Sequence, residues 1–200
     1  RDTLCEPLKE MAAQGKGNVY DLMGDLAAQS KPGANGVLFA PYMSGERCPY
    51  PDPNARGVFY GLSLSSTRAD ITRAVMEGVT YSLKQVADLM DGFVPIEKVY
   101  SSGGGSVSPL WRQMQADIFD LPVYTMSASG EGGAYGAILV AGVGAGVWGS
   151  LEEAASIIHP ETETLPIREN QKAYQDAYGL YCELYGALKP VYDKGAALEL

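Results

Sequence analysis

The stretch KVYSSGGGSVSPLWRQMQADIFD, residues 98–120, combines a short strand, a glycine run and the start of a helix. Lys98, Val99 and Tyr100 have the composition of a strand. Ser108 can accept a hydrogen bond from the first free backbone N–H groups of a helix, and Pro109 suits the first helical position, where no N–H is needed. Apolar residues then follow at helical spacing, namely Leu110, Trp111, Met114 and Ile118.

The three glycines Gly103, Gly104 and Gly105 stand between this strand and this helix. They allow backbone to approach a flat or anionic ligand, because no Cβ stands in the way and the N-terminus of a helix favours negative charge. Glycine runs also form plain turns. The residues alone therefore leave open a ligand-binding loop and a purely structural turn.

Composition excludes several classes of protein. The chain has 200 residues, 46% of them hydrophobic, and a formal net charge of −9. A basic patch is not visible, so nucleic-acid binding is not expected. Cys5, Cys48 and Cys182 match neither a zinc spacing nor a disulfide framework, which indicates reduced thiols and a cytoplasmic protein. With His159 as the single histidine, no metal site is predicted.

No targeting or membrane segment is predicted. The opening residues RDTLCEPLKE carry charges where a signal peptide would be apolar. Residues 132–149 are uncharged and nearly as long as a membrane span, but they are mostly Gly and Ala. We interpret them as a buried helix and its exit.

Hydrophobic periodicity predicts alternating helices and strands, which indicates the α/β class. Helices are predicted over residues 1–13, 19–30, 68–90, from 109, 133–141, 151–158 and 170–189; strands are predicted over 37–40, 57–62, 98–100 and from 122. A turn is predicted over 127–133. Residues 41–56 contain four prolines and are predicted to form an irregular segment with a functional or interfacial role.

The helix over residues 68–90 has the clearest signals. Thr67 and Asp70 form a possible capping box. Apolar and small residues at offsets of three and four are predicted to line its inner face: Ile71, Ala74, Val75, Gly78, Val79, Ser82, Leu83, Val86 and Met90. In the last helix, the tyrosines are interpreted as core residues rather than a ligand site.

Several motifs that suggest chemistry have simpler explanations. Residues 144–149 match G-x-G-x-x-G, but they follow a helix rather than a strand, so the match is ascribed to chance. Ser101 and Ser102 have no nearby base. Glu77 and Asp117 lie in amphipathic helices and are interpreted as hydrogen-bonded or solvated side chains rather than general bases. No catalytic residue is predicted.

Several stretches together resemble the FGGY family of carbohydrate kinases, in particular its xylulokinase members. One stretch follows the family's C-terminal signature: Gly57-x-Phe59-x-Gly61-Leu62, seven residues, then Asp70-Ile71-x-x-Ala74-Val75-Met76-Glu77. Residues 41–49, PYMSGERCP, resemble the preceding loop of xylulokinases. The glycines at 103–105 with Gln113-x-x-Ala116-Asp117 resemble the family's adenosine motif.

That resemblance implies the C-terminal domain of an actin-like, ribonuclease H-like ATPase fold, incomplete over residues 1–200. It implies a kinase that binds ATP between two domains and transfers the γ-phosphate to a hydroxyl of D-xylulose. Gly103, Gly104, Gly105 and Ser108 would bind the adenosine side of ATP. Gln113 and Asp117 match the motif, but their helical positions suggest structural support. Mg²⁺ is expected from phosphoryl-transfer chemistry alone.

Members of the family are more than twice as long as this chain. The N-terminal domain, the early strands and the catalytic aspartate are therefore expected to be absent, and the chain alone to be inactive. Another FGGY kinase, for ribulose, gluconate or glycerol, is a second interpretation of the same residues. The residues are also compatible with a non-catalytic interface module, a homodimer partner included, and with a ligand-free α/β domain.

Overall fold

Helix α3, Arg68–Asp91, lies at the centre of the computed structural model, which describes residues 5–127 and 132–198. Its predicted capping box is confirmed. Thr67 N donates a hydrogen bond of 2.7 Å to Asp70 Oδ2, and Asp70 N donates one of 3.2 Å to Thr67 Oγ1. Reciprocal capping of this kind satisfies backbone donors that the first helical turn leaves unpaired.

The described residues form helices around two small sheets, which confirms the α/β class. The helices are α1 Glu6–Ala13, α2 Val19–Ala27, α3, α4 Gly104–Val107, α5 Pro109–Phe119, α6 Gly132–Gly144, α7 Leu151–Ala155 and α8 Arg168–Gly195, with a short 3-10 helix at Ala34–Gly36. The strands are β1 Leu38–Ala40, β2 Val58–Tyr60, β3 Val99–Ser101, β4 Val123–Met126 and β5 Pro160–Thr164.

The two sheets differ in topology. Strands β1 and β2 pair antiparallel, with Leu38 opposite Tyr60. In the other sheet, β3 lies parallel to β4, with Val99 opposite Val123, and β5 pairs antiparallel to the far edge of β4. The parallel pair is joined through α4 and α5, as parallel strands require a crossover connection.

The main core is formed by α2, α3, α5, α8 and strand β1. Its buried members are Ala27, Leu38, Met76, Tyr81, Met114, Ile118, Tyr174, Tyr181 and Leu184. The prediction that the tyrosines of the last helix belong to the core is thus confirmed. Strand β1 lies directly on α3 at Gly78, where an added Cβ would stand 2.0 Å from Phe39 O.

The prediction of which residues line the buried face of α3 is partly wrong. Ala74 and Gly78 are buried, but Leu83 and Met90 are 54% and 58% exposed. The buried face instead carries polar side chains that find partners there, among them Arg73 and Glu77. Apolar spacing locates an apolar stripe, whereas burial also follows the partners available to polar groups.

The predicted burial of the helix after residue 132 is also wrong. In α6, Leu139 is buried, while Ile138 and Val140 are each 60% exposed. Helix α6 packs against the short helix α7 and Trp148 rather than against the main core. Over the described residues, no helix combines the length and apolarity needed to cross a bilayer.

The turn between α2 and β1 has an unusual backbone. Gly33, Ala34, Asn35 and Gly36 have consecutive positive φ angles of 80°, 47°, 51° and 86°. A left-handed conformation is unfavourable for Ala34, so surrounding contacts must hold it. The predicted turn at 127–133 and the start of the first predicted helix fall largely on residues 128–131 and 1–4, outside the described residues.

Candidate functional site

The glycine run begins as predicted but does not form an open loop. Gly103 has a φ of 76°, and Gly104–Val107 then form the single helical turn α4. Ser108 ends this turn and starts α5, because its Oγ accepts a hydrogen bond of 3.3 Å from Trp111 N. The predicted helix start at Ser108 and Pro109 is therefore confirmed.

A cavity of about 470 Å³ lies between α2, α3 and the α4–α5 segment. Gly104, Gly105 and Ser108, three of the four predicted binding residues, are part of its lining. Gly103 is not part of the lining, although it starts the segment. The other lining residues used below are Asn18, Tyr20, Asp21, Met23, Met76, Val107 and Trp111.

The cavity has the size and lining of a small-molecule site. Its volume is within the range of roughly 300–1,000 Å³ typical of small-molecule sites. Met23, Met76 and Trp111 give it apolar walls, and Asn18 and Ser108 add polar groups. A Cβ added at Gly104 would meet nothing within 4 Å, so the backbone there borders open space. These residues fit a flat, partly polar ligand.

The glycine segment is fixed by hydrogen bonds from its own neighbourhood. Ser106 Oγ donates to Gly103 O at 2.7 Å. Arg112 Nη1 donates to the carbonyl oxygens of Ser106 and Val107 at 2.5 and 3.1 Å. Because these bonds satisfy carbonyls at the end of α4, the short turn holds its shape without a longer helix.

No motif in the sequence marks the cavity wall that α2 forms. Asn18 caps this helix, since its Oδ1 accepts a hydrogen bond of 2.8 Å from Tyr20 N. The other end of α2 is tied to α3, because Ser30 Oγ donates to Asp70 at 2.5 Å and Ser30 O accepts from Arg73 at 2.9 Å. These contacts span about 40 residues of sequence, so local patterns do not reveal them.

Glu77 is fully buried and bonded rather than poised as a base. Its Oε1 accepts hydrogen bonds from Arg73 Nε at 2.6 Å and from Gly33 N at 3.1 Å. Burial raises the pKa of Glu77 to about 7, and the attraction of Arg73 offsets only part of that rise. Arg73 also donates to Tyr174 Oη at 2.6 Å, which extends the network to α8.

Asp117 joins α5 to the start of α8, as its predicted supporting role requires. It accepts hydrogen bonds of 2.7 Å from Ile167 N and Asn170 Nδ2, and one of 2.8 Å from Gln113 Nε2. Neither Glu77 nor Asp117 lines the cavity. Within the described ranges, no cluster of three or more His, Cys, Asp or Glu side chains has the arrangement of a metal site.

The proline-rich segment 41–56 is irregular, as predicted, and is anchored on α8. Tyr50 stacks on Tyr185 with ring centroids 3.7 Å apart, and Tyr185 Oη donates a hydrogen bond of 3.0 Å to Asp52. Lys189 lies 3.6 Å from the same buried carboxylate. The segment is therefore held in place by the last helix.

Comparison with known proteins gives concordant results. The model of the FGGY family of carbohydrate kinases, C-terminal domain, matches residues 3–145. A xylulose kinase of Staphylococcus xylosus is 38% identical over 159 residues, which are 78% of this chain and 33% of that protein. A gluconokinase of Bacillus subtilis (strain 168) is 32% identical over 196 residues, 96% of this chain and 38% of that protein.

Solved structures agree with these sequence relatives. Ligand-bound xylulose kinase from Lactobacillus acidophilus superposes with a TM-score of 0.76 and 31% identity, covering 90% of this chain and 36% of that one. The chain thus spans about a third of the length of the relatives it matches. Its fold is that of the C-terminal part of an actin-like ATPase. The chain belongs to the FGGY family of carbohydrate kinases, and its sequence matches their C-terminal domain.

Proposed function

We propose that this chain is the nucleotide-binding part of an ATP-dependent sugar kinase and that the cavity beside α4 holds the adenosine of ATP. The observation that carries the proposal is the convergence of Gly104, Gly105 and Ser108 on one cavity with apolar walls. The same residues carry the resemblance to the family's adenosine motif. Family membership supplies the reaction class.

Each part of the site has a separate task in binding. The backbone at Gly104 and Gly105 lets the ligand approach closely, and Met23 and Met76 remove the base from water. Gly103 starts the segment and orients it. When bound, ATP supplies the phosphoryl group, and Mg²⁺ is expected to neutralise its charge.

The remaining tasks are assigned to other parts of the intact kinase. We propose that an N-terminal domain and the early strands of this domain supply the sugar contacts and the catalytic base. D-xylulose is the proposed acceptor, because relatives named xylulose kinase reach 38% identity. Gluconate is the second candidate, since a gluconokinase matches 96% of the chain at 32% identity. Three free cysteines suit a reduced, cytoplasmic location.

Calorimetry tests the nucleotide site directly. ATP and then GTP are titrated into the chain, with circular dichroism as the check of folding. We expect binding that favours ATP, is lost in Gly104→Val and is kept in Gly186→Val, a glycine of α8 with open space around it. An intact kinase whose KM for ATP is unchanged by Gly104→Val would contradict the proposed site.

A second experiment tests the proposal that this chain binds the nucleotide while other parts of the kinase supply the sugar contacts and the catalytic base. The chain alone is expected to release no ADP when a sugar is added, and the intact kinase is tested on D-xylulose, ribulose, gluconate and glycerol. Sugar-dependent ADP release by the chain alone would refute this proposal. A catalytically silent intact protein that self-associates in light scattering would favour an interface module instead.

A further inference from the structure

Two aromatic side chains, Tyr20 of α2 and Trp111 of α5, line the cavity from two different helices. We propose that they flank the purine ring of the bound nucleotide and provide much of the affinity for the base. This inference rests on the proposed function, because it assigns the base of that nucleotide to these two residues. It assigns recognition of the base to two residues outside the glycine run.

The orientation of Trp111 is set before any ligand binds. Its Nε1 donates a hydrogen bond of 3.0 Å to Thr80 Oγ1, and Thr80 Oγ1 in turn donates one of 2.9 Å to Met76 O. The six-membered ring lies beside Gly105, where an added Cβ would be 3.4 Å from Cε3 of the indole. A ring held from two sides loses little freedom on binding, which favours affinity.

Tyr20 lies in the first turn of α2, so its ring can meet a ligand that enters from solvent. The side chain is 60% exposed although it borders the cavity. Its backbone is fixed by the cap from Asn18. An exposed aromatic ring on a fixed backbone can pack on a planar base with small rearrangement.

The remaining lining explains why the base rather than the phosphates belongs between these rings. Met23, Met76 and Val107 are apolar, and the acidic side chain of Asp21, which also lines the cavity, would repel a phosphate. Nucleobases stack well on aromatic side chains, and stacking is largely insensitive to which base is present. Stacking on Tyr20 and Trp111 would therefore contribute affinity, while other groups discriminate ATP from GTP.

Calorimetry on the full chain separates the base from the phosphates. We expect Tyr20→Ala to weaken adenosine, ATP and GTP binding by about tenfold each, and Tyr20→Phe to bind as the native chain does. Binding of inorganic tripolyphosphate should be the same in all three proteins. Tyr100→Ala is the matched control, because Tyr100 is also exposed but lies on β3 away from this cavity.

Fluorescence provides the test for Trp111. The chain has two tryptophans, so Trp148→Phe leaves Trp111 as the single source of tryptophan emission. Saturating adenosine should change its emission, and Thr80→Val, which removes the partner of Nε1, should weaken adenosine binding while far-UV circular dichroism stays native.

Three results would overturn the inference. One is adenosine binding in Tyr20→Ala equal to that of Tyr100→Ala, and another is unchanged Trp111 emission at saturation; in both cases the nucleotide site itself would stand. Absence of binding of all nucleotides to the native chain would overturn this inference and the nucleotide site of the chain alone together.

Discussion

Asn35 Nδ2 donates a hydrogen bond of 2.7 Å to Asp70 Oδ1, and this bond ties the left-handed turn before β1 to the first turn of α3. The same carboxylate accepts from Ser30 Oγ at the end of α2 and from Thr67. One buried side chain thus aligns the cap of α3 with the helix that forms a wall of the proposed nucleotide site.

Replacing Asp70 with Asn should destabilise the chain by about 2–4 kcal/mol, because several donors lose a charged acceptor in a buried place. Burial opposes the charged form, but hydrogen bonds from Ser30, Thr67 and Asn35 outweigh it and lower the pKa of Asp70 to about 2. A lowered pKa adds stability above about pH 4, and this part is lost as the pH falls through about 2.

Urea unfolding of the native chain and of Asp70→Asn between pH 2 and pH 7 measures this effect. The difference in the free energy of unfolding should shrink as the pH falls below 4. Asp25→Asn, on the exposed side of α2, is the control and should change stability by less than about 0.5 kcal/mol. A difference that stays constant down to pH 2 would show that the charge of Asp70 is unimportant.

Glu77 should produce the opposite pH dependence. Its pKa is raised from 4.5 to about 7 by burial, so the folded chain holds a proton that the unfolded chain releases. Its contribution is complete below about pH 4.5 and is lost as the pH rises through about 7, a change of about 3 kcal/mol. The destabilisation caused by Glu77→Gln should therefore be smaller at pH 8 than at pH 5.

The measurement compares urea midpoints of the two proteins at both pH values, with Glu183→Gln on the exposed face of α8 as the control. A penalty for Glu77→Gln that grows with pH would mean that the ion pair with Arg73 outweighs burial.

Gly78→Ala tests the contact between α3 and β1. Alanine is the better helix former, but its Cβ would lie 2.0 Å from Phe39 O, so strand β1 must move away. We expect a loss of about 3 kcal/mol or more. Gly186→Ala is the control, because it is the same substitution inside a helix, α8, at a position where an added Cβ meets nothing within 4 Å. It should raise the melting temperature through helix propensity alone. Equal effects of the two variants would exclude the close approach.

Asp117→Asn should loosen the start of α8. An amide in place of the carboxylate cannot accept from all of Ile167 N, Asn170 Nδ2 and Gln113 Nε2, so we expect a loss of about 1.5–3 kcal/mol. Asp176→Asn, whose carboxylate pairs with Lys172 on the exposed face of α8, should change little. Thermal unfolding followed by circular dichroism distinguishes the two variants.

Features that depend on neighbouring residues could be predicted from the sequence. The cap at Thr67 and Asp70, the helix start at Ser108 and Pro109, and the core tyrosines of α8 all follow from local spacing. The glycine segment lies between β3 and α5, as the sequence predicts, but Gly104–Val107 form the helical turn α4 instead of an open loop. Three of the four predicted binding residues line the cavity, and their contact with a nucleotide stays a prediction.

Features that depend on contacts between residues far apart in the sequence could not be predicted from local patterns. The buried face of α3 depends on Ser30, which follows α2, and on Tyr174 of α8, because both form hydrogen bonds with Arg73. The α2 wall reaches the cavity through the same contacts. The apolar composition of α6 predicted burial, but in the described structure the surface available to cover it is small, so Ile138 and Val140 remain exposed.

The position of α8 in the core has a consequence for synthesis. Tyr174, Tyr181 and Leu184 pack with Leu38, Met76 and Met114, so residues separated by more than a hundred positions meet in one cluster. A growing chain at the ribosome can form the capped α3 early, yet its apolar surfaces stay uncovered until α8 has emerged. During that interval the nascent domain exposes apolar surface of the kind that chaperones bind, and its folding should finish after translation of α8 rather than stepwise along the chain.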